Sequence, residues 1–167
     1  MKDKNTAANI TIRPIEINDN EAVANIIRGV MTEFSAVGEG YSINDPEVSD
    51  MYQAYSIAGA AFYVVEKNGS VLGCAGFAPL TGGENDTCEL RKMYFLPELR
   101  GTGIGSRLLK LCLDQARKVG FKCCYLETLE AMNKARNLYQ QHGFEYLDSP
   151  MGSTGHTACG TWMAKQL

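Results

Sequence analysis

Leu99-Arg-Gly-Thr-Gly-Ile-Gly-Ser-Arg-Leu-Leu-Lys110 is the stretch on which the reading of this chain turns. Gly101, Gly103 and Gly105 alternate, and an amphipathic helical pattern opens directly behind them. A glycine-rich entry to a helix is an anion site. Its first N–H groups have no intrahelical acceptor, the helix dipole adds partial positive charge, and missing Cβ atoms let a phosphate approach the main chain. From Arg91 to Lys110 the bases Arg91, Lys92, Arg100, Arg107 and Lys110 face one acid, Glu98, in a chain whose formal net charge is -3. The stretch reads as the seat of a polyanionic ligand.

The flanks choose among such ligands. No Gly-Lys-Ser or Gly-Lys-Thr closes the run, which excludes a Walker phosphate loop. A Rossmann-type dinucleotide or methyl-donor site is the competitor, with Glu127 as the acid ending the next strand. Against it, Pro97-Glu98-Leu99-Arg100 separate strand from glycines, and Ser106 stands where that fingerprint wants Gly or Ala.

Read from strand to helix, Glu89-Leu-Arg-Lys-Met93-Tyr94-Phe95-Leu-Pro97-Glu-Leu-Arg100-Gly-Thr-Gly103-Ile-Gly105 resembles the acyl-CoA-binding motif of the GNAT superfamily of N-acyltransferases. That motif, Gln/Arg-x-x-Gly-x-Gly/Ala, falls on Arg100, Gly103 and Gly105. A second family motif follows the next strand as Ala135-Arg-Asn-Leu-Tyr139-Gln-Gln-His-Gly143-Phe144. The sharp likeness covers about Cys88 to Tyr146, and the order of elements fits from about Asn9 onward. The resemblance implies acetyl-CoA as cosubstrate and an amine as acceptor.

Length and composition agree. At 167 residues with 45% apolar content, residues 1–167 suit one domain with one core. No apolar run approaches membrane-spanning length, and Met1-Lys-Asp-Lys-Asn lacks a secretory leader, so a cytoplasmic protein without a membrane partner is expected. A pI near 5.4 argues against nucleic acid as partner. Cys74, Cys88, Cys112, Cys123, Cys124 and Cys159 include no Cys-x-x-Cys, and only two histidines accompany them, so free thiols and no metal are expected. A second copy of the chain remains open as a partner.

Asn9–Ile15 alternates like a strand. Asn18 with Glu21 signals a helix start, and Val23, Ile26, Ile27, Val30, Met31 and Phe34 keep helical spacing until Gly38 and Gly40. Asp45-Pro46 predicts a second helix with Val48, Met51, Tyr52 and Tyr55 on one face. Ala61–Glu66 and Val71–Phe77 form a hairpin through Asn68-Gly69. Strand Thr87–Leu96, helix Gly103–Val119, strand Phe121–Glu127, helix Ala131–His142 and strands Phe144–Asp148 and His156–Ala164 complete the chain. The order is β-α-α-β-β-β-α-β-α-β-β, an α/β (α+β) fold. With the resemblance, it predicts a mixed, mostly antiparallel sheet with helices on both faces.

Amine acetylation sets chemical requirements. A lysine-like ammonium with pKa about 10.4 must lose its proton before it attacks a thioester, and a thiolate with pKa about 8.5 leaves better when protonated. The developing oxyanion wants a main-chain N–H. By resemblance, Tyr139 is the acid that protonates the CoA sulfur; its alternative is a core aromatic sharing a helix face with Ala135, Leu138 and His142. Glu89 and Glu127 are rival bases, and either also reads as a strand-end charge or, for Glu89, a partner of Arg91 or Lys92. The resemblance places Met93, Tyr94 and Phe95 along the pantetheine arm, with Phe95 N–H at the oxyanion. It places Gly101, Thr102, Gly103, Ile104, Gly105 and Ser106 at the pyrophosphate. Arg100 and Arg107 are cofactor contacts or solvated charges. The family often has an Asn seven residues before its tyrosine; here Met132 stands there, with Asn133 next to it. His156 reads as a surface histidine or a visitor to the acceptor pocket, and His142 as a helix C-terminal charge. The connection Gly38–Asn44 carries small and polar residues, and carboxylates beside aromatics suit a small cationic amine, so Glu33 and Tyr41 are expected at the acceptor.

Overall fold

The computed structural model describes residues 9–167. The stretch Met1–Asn5, read above for its lack of a leader, lies outside the described residues. Strands β1 (Ile10–Pro14), β2 (Ala61–Lys67), β3 (Ser70–Pro79), β4 (Thr87–Phe95), β5 (Cys123–Leu129), β6 (Glu145–Leu147) and β7 (Gly160–Gln166) form one sheet in the order β1-β2-β3-β4-β5-β7-β6. Among the described residues only the β4–β5 pair is parallel. Helices α1 (Asn20–Glu33) and α2 (Met51–Ala54) cover one face, and α3 (Ile104–Val119) and α4 (Asn133–Gln141) cover the other.

Period-two alternation divides the strand side chains between two cores. Phe62, Val64, Cys74 and Ala78 meet Val23, Ile27, Met31 and Met51, whereas Ala75, Phe77, Cys88 and Leu90 meet Leu108, Leu109 and Cys112. The β2–β3 turn works because Asn68 (φ 52) and Gly69 (φ 83) both adopt the left-handed conformation that matches strand twist.

One irregularity builds the site. Cys74 pairs with Tyr94 and Gly76 with Arg91, so Lys92 and Met93 both stand opposite Ala75, and Lys92 takes φ 54. Such a bulge bends its strand and raises its twist. The parallel ladder between β4 and β5 ends at Glu89↔Tyr125. Beyond that pair β4 is bonded only to β3 and β5 only to β7, and the two strands part into an open cleft.

Two expectations fail. The second helix is a 3-10 turn, Pro46–Ser49, followed by the four-residue α2. Asp50 (φ -149, ψ 68) breaks the run, because its carboxylate caps α2 through Gln53 N and accepts from Asn20 Nδ2 at 2.8 Å instead of letting the backbone stay helical. The last strand starts at Gly160 rather than His156, since His156 is held by Asp45 and Gly160 turns at φ 78.

Candidate active site

The cleft between the parting strands is lined by Glu89–Tyr94 on β4, Leu126–Leu129 on β5, and Met132, Tyr139, His156 and Cys159. A second hollow is lined by Asp45, Glu47, Thr81 and Thr154 and shares Glu89, Arg91 and His156 with the first. The two meet at those three residues. The outer wall comes from two segments joined by His156 Nε2, which donates to Asp45 Oδ1 and Oδ2 at 3.0 and 2.9 Å, and by Ala158 N, which donates to Gly40 O at 3.2 Å.

At the entrance to α3, Gly101 (φ 73) and Gly103 (φ 81) take left-handed conformations, and a Cβ at either would meet nothing within 4 Å. Arg107 N is the first helical N–H with an acceptor, Gly103 O at 3.4 Å, so the main chain of Ile104, Gly105 and Ser106 is free to donate outward. At Gly105 a Cβ would lie 3.3 Å from Leu138, which fits the α3–α4 approach to a small residue. An open, donor-rich loop of this kind fits a pyrophosphate.

The side chains of that loop are committed elsewhere. Arg100 is bidentate to Glu33 at 2.6 and 2.7 Å, and its Nε donates to Phe95 O at 3.0 Å. Thr102 Oγ1 donates to Leu99 O at 2.6 Å, and Ser106 Oγ shares a 2.7 Å bond with His142 Nε2. Asn133 Oδ1 accepts from Arg136 Nη2. Glu33 and Tyr41 do not reach the cleft: Glu33 is spent on Arg100, and Tyr41 packs on the α1 core. Sequence periodicity could not foresee a core partner for a loop tyrosine.

Leu96 N donates to Leu72 O at 2.9 Å, so the ladder's alternation turns Phe95 N–H away from β3 and toward the cleft. Tyr94 instead packs its ring on the α1 side. Tyr139 sits on α4, 6% exposed, its ring 5.8 Å from Phe144. Burial, with Tyr94 and nearby thiols, raises its phenol well above the ordinary range, so it keeps its proton at neutral pH.

The titratable cluster is denser than the sequence suggests. Glu89 is 3% exposed, and its Oε2 has no hydrogen-bond partner; Arg91 Nε lies 3.3 Å away but off the line of its N–H. Burial raises the Glu89 carboxyl, Arg91 opposes that, and Glu127 reinforces it. Thr154 Oγ1 donates to Glu127 Oε1 at 2.5 Å. Lys92 is buried, with Nζ 2.5 Å from Asp45 Oδ2 and 3.2 Å from Glu47 Oε1. Burial alone would raise Asp45, but the His156 bond and Lys92 charge bring it below the usual carboxylate value. The Asp45 bond in turn raises His156, against its burial. Burial beside Glu127 and Glu89 lifts the Cys159 thiol to about 12. Glu47, Lys92, Arg91 and Cys159 were not singled out as acceptor-site residues by sequence; the one available signal was the charged pair Arg91-Lys92 inside a strand.

Family comparison fits this geometry. Residues 26–144 match the acetyltransferase (GNAT) family, and the chain belongs to that family. It is an N-acetyltransferase with acetyl-CoA as cosubstrate. The chain is 45% identical over 157 residues to the uncharacterised N-acetyltransferase YjgM of Escherichia coli K12, covering 93% of this chain and 94% of that one. It is 29% identical to the L-amino acid N-acyltransferase MnaT of the same organism, over 92% and 89% of the two chains. A solved structure of the putative acetyltransferase yncA from Salmonella typhimurium, with its cofactor acetyl-CoA, shares the fold at TM-score 0.74 and 24% identity, covering 95% and 94%. No described helix is long and apolar enough to cross a membrane.

Proposed function

We propose that the chain acetylates the primary amine of a small amino-acid-like acceptor by direct attack in a ternary complex. The observation that carries this reading is the buried Glu89 carboxylate at the junction of the two hollows, whose Oε2 accepts no hydrogen bond and stands 3.3 Å from Arg91 Nε. A carboxylate and a guanidinium at one junction suit a zwitterion, the ammonium at Glu89 and Glu127 and the carboxylate toward Arg91. The similarity to MnaT, an L-amino acid N-acyltransferase, supports the same class of acceptor.

In this reading Glu89 is the base. Its raised carboxyl is better matched to an ammonium than an ordinary one, whereas Glu127, held by Thr154, steadies the positive charge. The freed amine attacks the thioester carbonyl, Phe95 N–H meets the developing oxyanion, and the Tyr139 hydroxyl gives its proton to the departing sulfur. The N-terminus of α3 holds the pyrophosphate through Gly101 to Ser106, and Met93 lines the pantetheine arm.

The test is a screen of amino acids, and of the same amines lacking the carboxylate, for release of free CoA thiol. Turnover should favour the carboxylate-bearing acceptors, and Arg91→Gln should raise their KM about ten-fold or more, the scale of losing a charge-assisted bond. Equal turnover of both sets by wild type and variant would remove the amino-acid reading.

A further inference from the structure

We infer that Glu89, Glu127 and His156 form a binding site for a zinc-like divalent cation that competes with the acceptor amine. One carboxylate oxygen from each glutamate and one ring nitrogen of His156 lie within 4.8 Å of one another. They arrive from three separate elements, β4, β5 and the loop before β7, so the cluster is a product of the tertiary fold.

The second observation is the state of Glu89. It is 3% exposed, and its Oε2 accepts no hydrogen bond among the described residues; Arg91 Nε, 3.3 Å away, offers charge but no aligned N–H, which leaves a ligand position open on that oxygen. A cation satisfies it without a proton. The remaining ligands are braced in the manner of metal sites. His156 donates Nε2–H to Asp45 at 2.9 Å, so a cation would bind the other ring nitrogen by displacing its proton, and Thr154 donates to Glu127 Oε1 at 2.5 Å. Carboxylate-braced histidine ligands are the usual second layer of zinc sites.

The donor set of one imidazole and two carboxylates suits zinc rather than calcium or magnesium, which prefer all-oxygen shells. Tetrahedral bonds of about 2.0–2.1 Å would place the ligand atoms roughly 3.3–3.4 Å apart, so the three side chains close by small rotations. The fourth position opens to the shared hollow. Zinc there covers the oxygen that the proposed base uses. Competition therefore rests on the proposed function, whereas binding does not.

The experiment titrates zinc chloride into the full chain against a fluorescent zinc indicator, with no acetyl-CoA present. Wild type should withdraw one equivalent, and Glu127→Gln and His156→Ala should each bind at least about ten-fold more weakly. Zinc K-edge absorption on the wild-type complex, which needs no variant, should show a nitrogen and oxygen shell with one imidazole. No withdrawal by wild type, equal affinity in both variants, or a sulfur shell from Cys159 would each overturn the site. Zinc bound as described with unchanged acceptor KM would support the site and count against Glu89 as the base.

Discussion

Tyr139 and His156 show how one side chain's surroundings set its chemistry. The phenol of Tyr139 is kept protonated by burial, which in the proposed reaction suits it to give a proton rather than to take one. Tyr139→Phe removes the hydroxyl and little packing; kcat should fall about 10²-fold or more while the KM for acetyl-CoA changes little. Steady-state kinetics with a turned-over acceptor measure both constants. His156 is a stability question as well. Its folded-state pKa is raised by Asp45, so its contribution is complete below the unfolded value of about 6.5 and is lost as pH rises through the folded value. Urea unfolding should find His156→Asn less stable than wild type by about 1.5–3 kcal/mol near pH 6, the worth of a bond to a charged group, with the deficit shrinking toward about pH 9. A deficit that grows with pH would contradict the charged pair.

At the scale of elements, the glycine entry to α3 and the bulge in β4 do the positioning. Gly103→Val forces a branched side chain into φ 81, which costs about 1–3 kcal/mol, and sets methyl groups in space that is empty in the protein alone. The variant should still fold but lose the rise in Tm that acetyl-CoA gives by binding the native state. An undiminished shift would move the pyrophosphate off this loop. The glycine entry and the β2–β3 hairpin were legible in the sequence because their signals are local: alternating glycines before a helical pattern, and Asn68-Gly69 between two alternating runs; the bulge was not, since Lys92 and Met93 carry no turn signal. The 3-10 turn Pro46–Ser49 was not. Helix-like spacing of Val48, Met51 and Tyr55 is satisfied by a tighter turn, and the choice was made by Asp50 bonding Asn20, 30 residues away in sequence.

Over the whole molecule, the one parallel strand pair among the described residues is where the proposed site lies. β7 inserts between β5 and β6, which leaves β4 and β5 as neighbours bonded over three residue pairs and apart beyond them. That parting exposes main chain on β4 and lets groups from both faces, Tyr139 on one and Glu89 on the other, reach one cleft. Glu89, Glu127 and Tyr139 could be singled out from strand and helix positions together with the family resemblance. Asp45 and His156 could not be paired, because 111 residues separate them and their loops carry no periodic signal. The same gap applies to Glu33 and Tyr41: only the fold reveals that one pairs with Arg100 and the other packs on the α1 side.

The central claim is that Glu89 takes the proton of the acceptor ammonium. The pH dependence of kcat/KM, wild type against Glu89→Gln, tests it most directly. Wild type should lose rate as pH falls through the raised Glu89 carboxyl, and the variant should lose about 10²–10⁴-fold near neutrality and no longer show that acid limb. A variant with wild-type rates and the same acid limb would contradict the account.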